Sequence, residues 1–269
     1  MLAAVLARAV TSLRLRALDL GDRARGRGDR LVPPQRLRGF AGDSDFVATG
    51  DELLRLARAH GGLRADSRVL DVGCGIGRVA RTLTGVLDPA AGGAYVGFDP
   101  VAPAVAWCAA RYPAHFRFVH ADLRNDLYNP AGAVAATDYR FPVDDGWATL
   151  AVAASVFTHL DRPAVDRYLA ETRRAMAPGA SALLTFFLLD DDSRAALAGG
   201  RARQPFAETA GEQAIADPDV TMAAVAHDRA SVLDVLARQG LDLASVHDGS
   251  WRGRAGLSYQ DLVVARAPG

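Results

Sequence analysis

The chain lacks lysine altogether, so arginine supplies every Lys/Arg-type charge in its 269 residues. The 31 arginines are balanced by 31 aspartates and glutamates, which leaves a formal net charge of zero at neutral pH. A neutral chain with only 7% aromatic residues offers neither a basic field nor a basic-aromatic stripe to nucleic acid. We therefore expect no nucleic-acid partner. The lack of lysine, beside abundant alanine and arginine, indicates a GC-rich genome and carries no mechanistic information.

Cysteines and long apolar runs are also scarce. The two cysteines, Cys74 and Cys108, lack the paired spacing of zinc or redox motifs, which favours a reducing, cytoplasmic location. The most apolar N-terminal stretch is interrupted by Arg8, Arg14 and Arg16, so no run is long enough to span a bilayer. No secretory signal peptide is expected either.

Apolar residues make up half of the chain, which is enough for a sizeable core. Short apolar segments alternate with helical patterns, and this alternation predicts one α/β domain with a mostly parallel sheet covered by helices on both faces. The predicted strands are 69–72, 94–99, 116–120, 147–155, 182–189, 241–247 and 256–265. The predicted helices are 51–60, 77–87, 101–111, 163–176 and 228–238.

Two segments depart from this alternation. Residues 1–39 are predicted to form an N-terminal amphipathic helix and a linker, before a main domain at 40–269. That helix either packs on the main domain or makes peripheral membrane contact, for which the basic tract 22–27 argues. Residues 190–222 are polar and too long for an ordinary connection, which predicts a lid over the active site or a disordered insertion.

A glycine cluster follows the first predicted strand. That strand ends at Asp71, and Gly73, Gly75 and Gly77 come immediately after it, where a helical pattern begins. Glycines let the backbone adopt positive φ and approach a ligand closely. The N–H groups at the start of the helix would then face a negative group. The alternative is an ordinary tight turn between strand and helix, with nothing bound.

The G-x-G-x-G spacing resembles motif I of the class I S-adenosylmethionine (SAM) methyltransferases, in a largely uncharacterised subgroup of small-molecule type. Nicotinamide and flavin enzymes use G-x-G-x-x-G instead. Segments 155–160 and 173–179 are similar to the same family. The resemblance implies SAM as cofactor and a doubly wound Rossmann-like sheet, mostly parallel, with an antiparallel C-terminal strand. The cofactor-binding residues it favours are Asp71, Gly73, Cys74, Gly75, Gly77, Asp99, Pro100, Asp122, Leu123 and Ser155.

Acidic residues end or follow three consecutive predicted strands. Asp99 closes the second strand, where such a fold offers a carboxylate to ribose hydroxyls, and Pro100 would add an apolar wall near the adenine. By resemblance, Asp122 would receive the adenine amino group, although aspartate is equally favoured as a helix N-cap. The ordered series Asp71, Asp99 and Asp122 is more specific than any one of its members.

His159 is the candidate catalytic residue. It follows the fourth predicted strand, and an imidazole that titrates near neutral pH can act as general base on a substrate hydroxyl. The competing interpretation is a purely structural hydrogen bond to the backbone. Asp144 or Asp145 is the second choice of base. Three C-terminal side chains could contact the acceptor or simply pack at the surface: Trp251, Arg252 and Arg254.

The predicted function is methyl transfer from SAM to a small-molecule acceptor, at a hydroxyl of a sugar, glycolipid or secondary metabolite. The chemistry requires no metal, because the methyl group is already activated and the protein mainly has to orient the acceptor. Two alternatives stay open: a non-catalytic SAM-binding or membrane-associated subunit, and an NAD-dependent dehydrogenase. The sequence carries no signal for an oligomeric state.

Overall fold

The computed structural model describes residues 29–38, 45–125, 128–208 and 213–269. The amphipathic helix predicted near the N-terminus lies outside these ranges. In the part of the chain described, no helix is long and apolar enough to cross a membrane.

A seven-stranded sheet forms the centre of the molecule. Its strands are Arg68–Val72 (β1), Ala94–Asp99 (β2), Phe116–His120 (β3), Ala148–Ala153 (β4), Met176–Phe186 (β5), Asp242–His247 (β10) and Asp261–Arg266 (β11). They lie in the order β10-β11-β5-β4-β1-β2-β3. Leu70 illustrates the parallel register, because it is paired with Val96 of β2 on one side and with Ala151 of β4 on the other. Only β11 runs antiparallel to its neighbours β5 and β10, which confirms the predicted sheet.

Helices cover both faces of this sheet. They are Gln35–Arg38 (α1), Phe46–His60 (α2), Arg78–Leu83 (α3), Ala102–Ala109 (α4), Arg162–Ala175 (α5), Asp191–Ala198 (α6) and Arg229–Arg238 (α7). Aspartate N-caps fix where several begin: Asp45, Asp161 and Asp228 each accept a backbone N–H from the first turn of the following helix. The core is correspondingly double, with one apolar cluster on each face of the sheet.

A second sheet has four strands: Leu188–Leu189 (β6), Ala207–Glu208 (β7), Gln213–Ile215 (β8) and Val225–Asp228 (β9). It lies beside the first sheet, and its strand order is β6-β9-β8-β7. The segment 190–222 therefore contains helix α6 and two short strands in its described part. Leu188 and Leu189, predicted as the end of one long strand, belong to this second sheet.

Strand β5 also begins earlier than predicted. The preceding helix, predicted to end at Met176, ends at Ala175, and the chain is extended from Met176 onward, ahead of the Pro178-Gly179 pair. The register with β4 shifts between the pairs Ala148↔Met176 and Leu150↔Ser181. This irregularity accommodates the proline and glycine, since proline has no N–H to offer a regular ladder.

Candidate active site

One cavity of about 810 Å³ opens at the carboxyl ends of β1, β2, β4 and β5. Ligands of open α/β sheets bind at this edge. Most of the residues predicted from the sequence line it: Asp71, Gly73, Cys74, Gly75, Asp99, Pro100, Leu123, Ser155 and His159. Gly77 and Asp122 are not among its lining residues.

The glycine loop has the backbone geometry that its spacing predicts. Gly73, Gly75 and Gly77 have φ angles of 68°, 51° and 81°. A Cβ on Gly73 would lie 2.5 Å from Cγ2 of Val156, so a larger residue does not fit there. A Cβ on Gly75 would meet nothing within 4 Å, because this glycine faces the open cavity. Gly77 serves packing: its carbonyl accepts a hydrogen bond from Tyr112 Oη at 3.0 Å.

Asp71 is buried at the end of β1. Tyr95 Oη donates a hydrogen bond to its Oδ2 at 2.6 Å. Burial raises the pKa of Asp71 to about 7, the hydrogen bond from Tyr95 opposes this shift, and the nearby charge of Asp99 adds to it. Desolvation thus outweighs the favourable hydrogen bond, and the carboxyl group sits at the floor of the cavity close to its protonation midpoint at neutral pH.

Asp99 lies at the end of β2 with both carboxylate oxygens directed at backbone N–H groups. Gly75 N donates to Oδ2 at 2.8 Å, and Val101 N donates to Oδ1 at 2.9 Å. These contacts connect the acid to the glycine loop, and each oxygen keeps a second lone pair for a ligand hydroxyl. Burial raises the pKa of Asp99, and the two backbone hydrogen bonds partly offset the effect.

Residues 121–125, which follow β3, do not form a helix. Asp122 is exposed and accepts a hydrogen bond from Asn129 Nδ2 at 3.1 Å, so it is not a helix N-cap. Leu123, next to it, is buried and lines the cavity beside Pro100.

The loop after β4 holds an unusual backbone conformation. Ser155 has a φ of 59°, the only positive φ outside glycine in the described residues, and strain of this kind is concentrated at functional sites. Its N–H donates to Thr185 Oγ1 at 2.7 Å. Thr185 Oγ1 in turn lies 2.6 Å from Gln260 Oε1, and Ser155 Oγ lies 3.1 Å from the same oxygen.

His159 lies in the short 3₁₀ turn Phe157–His159 and lines the cavity. Its Nδ1 is 2.9 Å from the carbonyl oxygen of Met222. Since a carbonyl only accepts, Nδ1 must carry the hydrogen, which leaves Nε2 with its lone pair. Burial lowers the pKa of His159, so the ring is neutral at physiological pH. The backbone hydrogen bond considered from the sequence is therefore present, and it fixes the tautomer that a general base requires.

Two further side chains hold or line this loop, and the sequence did not single them out. His227 of β9 is buried, with Nε2 2.8 Å from the carbonyl oxygen of Phe157 and Nδ1 3.2 Å from Gln213 Nε2. Burial lowers the pKa of His227 to about 4. Thr158 lines the cavity, and its buried hydroxyl has no hydrogen-bond partner in the described part of the chain. No spacing pattern marks either residue.

The two aspartates considered as the second choice of base lie outside the main cavity. Asp145 is exposed and paired with Arg140 and Arg174, and Asp144 lines a separate, shallow depression. Neither aspartate lines the main cavity.

The C-terminal candidates also lie away from the cavity. Trp251 and Arg252 are buried against Asp261, which accepts from Trp251 Nε1 at 2.8 Å and from Arg252 Nε at 2.9 Å. Arg254 is exposed and pairs with Asp248. Trp251 and Arg252 therefore have a structural role, in the interior and not at the surface where the alternative interpretation placed them.

The donor set and shape of the cavity fit SAM. A glycine that faces open space, a buried carboxylate at the end of β2 and an apolar wall at Pro100 and Leu123 match an amino-acid group, a ribose and a flat base.

Comparison with known proteins identifies the family. Residues 45–234 match the model of a methyltransferase domain, so the chain belongs to that family. It is a class I SAM-dependent methyltransferase, with SAM as its cofactor. This assignment sets aside the dehydrogenase.

Solved structures share the fold. A TehB-like SAM-dependent methyltransferase from Corynebacterium glutamicum is 19% identical, with 87% of this chain and 95% of that chain covered and a TM-score of 0.51. The 1,6-didemethyltoxoflavin-N1-methyltransferase of Burkholderia thailandensis, solved with 1,6-didemethyltoxoflavin and S-adenosylhomocysteine, is 14% identical over 97% and 90% of the two chains, with a TM-score of 0.55. A Pyrococcus horikoshii protein is 14% identical over 88% and 100%, with a TM-score of 0.58.

Proposed function

We propose that this enzyme methylates a hydroxyl group of a small molecule, such as a sugar, a glycolipid or a secondary metabolite. Asp99 would hold the ribose hydroxyls of SAM, the loop at Gly73 and Gly75 its methionine portion, and Pro100 with Leu123 its adenine. Bound SAM supplies a methyl group already activated by a positively charged sulfur. The protein's own work is to orient the acceptor and to receive its proton.

The observation that carries the proposal is the state of His159. Its Nδ1–H donates to the Met222 carbonyl at 2.9 Å, which leaves the lone pair on Nε2. Nε2 of this cavity-lining, neutral imidazole would accept the proton of an acceptor hydroxyl. The Met222 carbonyl then stabilises the imidazolium, because its hydrogen bond favours the charged ring.

The described part of the segment 190–222 would form a wall beside the acceptor. Met222 holds His159, Gln204 lines the cavity, and the neighbouring Ala223 and Ala224 line it as well. A wall at this position excludes water from the reacting groups, which strengthens the electrostatic interactions inside the site.

The cofactor contacts are tested by calorimetric titration of S-adenosylhomocysteine into the wild type and Asp99→Ala. We expect one-to-one binding that the substitution weakens strongly. A folded wild type without detectable binding would refute the proposed site.

The base is tested with His159→Gln in a screen of hydroxylated acceptors with methyl-labelled SAM. General-base catalysis contributes about 10²–10⁴-fold, so turnover should fall by that order while the affinity for S-adenosylhomocysteine stays unchanged. Because the pKa of His159 is below its ordinary value of 6.5, the neutral base persists at pH 7, and the wild-type rate should decline only at more acidic pH. A variant with full turnover would show that His159 is not the base.

A further inference from the structure

Gln260 lies at the acceptor end of the cavity, just before β11, and its side-chain amide has a fixed orientation. Thr185 Oγ1 already accepts from Ser155 N–H, so its own proton is available for Gln260 Oε1, 2.6 Å away. Ser155 Oγ, 3.1 Å from the same oxygen, supplies a second hydroxyl donor. With the amide turned the other way, neither hydroxyl would find an acceptor there.

This arrangement leaves the amide nitrogen of Gln260 for a ligand. Its two N–H groups have no hydrogen-bond partner in the described chain, and Gln260 lines the cavity. They are hydrogen-bond donors of fixed direction, suited to an oxygen atom.

Charge is distributed unevenly around the cavity. Its charged lining residues, within the described ranges, all come from the first half of the chain: Glu52, Asp71, Arg78, Asp99 and Arg124. The described lining residues from Tyr128 to Gln260 include no aspartate, glutamate or arginine, and His159 is neutral. A charged group that contacts only the lining residues from Tyr128 to Gln260 would be desolvated without a counter-ion among their side chains, which is costly.

Aromatic surface completes the acceptor end. Phe187 and Tyr259 meet edge to face at 6.0 Å between ring centroids, and Tyr128 meets His159 in the same manner at 5.6 Å. Such surfaces bind flat or apolar ligand bodies, while a few polar groups set the orientation.

We propose that Gln260 is a specificity-determining residue that binds an oxygen atom of an uncharged acceptor through its side-chain N–H groups. This inference rests on the proposed function, since it places the acceptor in the same cavity. Thr185 and Ser155 act as positioning residues that hold the amide.

Three probes that share a phenyl ring and differ in the charge and type of their polar group test this proposal: benzamide, benzoate and benzylamine. Their dissociation constants are measured by saturation-transfer NMR with S-adenosylhomocysteine present, for the wild type, Gln260→Glu and Gln260→Met. Gln239→Glu, at the end of α7, is the matched control. Calorimetry with S-adenosylhomocysteine shows for each variant that the cofactor site is folded.

We expect the wild type to prefer benzamide. Loss of a hydrogen bond between uncharged groups should weaken its binding by roughly threefold to tenfold in both Gln260 variants. Gln260→Glu should gain benzylamine binding, and Gln239→Glu should behave as the wild type.

Failure of benzamide to bind, equal binding of benzamide to the wild type and Gln260→Met, or equal wild-type binding of all three probes would each overturn the inference. The expected probe preferences without methyl transfer to any hydroxylated compound would instead refute the proposed function alone.

Discussion

Replacing Asp71 by asparagine should make the protein more stable at neutral and alkaline pH. The pKa of this carboxyl group rises from 3.8 to about 7 on folding, and one pKa unit corresponds to about 1.4 kcal/mol. Ionising Asp71 in the folded protein therefore costs about 4 kcal/mol relative to the unfolded chain. An asparagine in the same position keeps an oxygen for Tyr95 Oη, 2.6 Å away in the wild type, and has no charge to desolvate.

The sign of the pH dependence follows from proton binding. Between pH 4 and 7 the folded wild type holds this proton more often than the unfolded chain does, so its stability falls as the pH rises through that window. The variant lacks this fall. About 2.5 kcal/mol of the resulting difference should develop between pH 5 and pH 8.

The measurement is urea unfolding of both proteins across that pH range. Asp242→Asn, on the exposed part of β10, controls for the change from carboxylate to amide. Titrating groups that do not interact with Asp71 are common to the wild type and the variant and cancel in the difference. A difference in the free energy of unfolding that is the same at pH 5 and pH 8 would refute the reasoning.

Three other predictions concern groups near the cavity. The pKa of His227 is lowered from 6.5 to about 4. Its contribution to the free energy of unfolding is therefore complete above pH 6.5 and falls by about 3 kcal/mol as the pH drops to 4. In urea unfolding, His227→Gln should lose less stability over this acidic range than the wild type. Thr158→Val removes a buried hydroxyl without a described partner, so the free energy of unfolding should rise by about 1 kcal/mol, and a lower melting temperature would contradict the argument. Gly75→Ala and Gly62→Ala both put a side chain at positive φ with nothing within 4 Å, so both should lose about 1–2 kcal/mol of stability. Only Gly75→Ala should also weaken S-adenosylhomocysteine binding in calorimetry. If the two variants lost the same amount of binding affinity, Gly75 would not contact the ligand.

The elements that could be predicted from the sequence are those with strong local patterns. The run Val69–Val72 followed by closely spaced glycines defines strand, loop and helix without tertiary information. The antiparallel C-terminal strand came instead from the family resemblance. Strands β7 and β8 are two and three residues long, too short for any periodicity. They depend on tertiary pairing, because β8 pairs with β9 and β7 pairs with β8.

The candidate site shows the same division. The sequence identifies Asp71, Asp99 and the glycines because they lie at the ends of predicted strands. No local pattern identifies His227 or Gln260. His227 contacts the carbonyl oxygen of Phe157, 70 residues away. Gln260 contacts the hydroxyls of Thr185 and Ser155, 75 and 105 residues away. Contacts at that separation are set by topology, which local patterns do not contain.

The join between the two sheets has a consequence for how selectivity can change. Phe187 is the single residue between β5 and β6, so the small sheet takes its position directly from the central one. Buried Arg252 reinforces the join, because it bonds to the carbonyl oxygen of Leu188 in β6 and to Asp261 in β11. Selectivity set by such anchored walls evolves by exchange of the side chains they carry. A change in which acceptors are bound can therefore arise from a single substitution at a lining position, without a change in how the two sheets are joined.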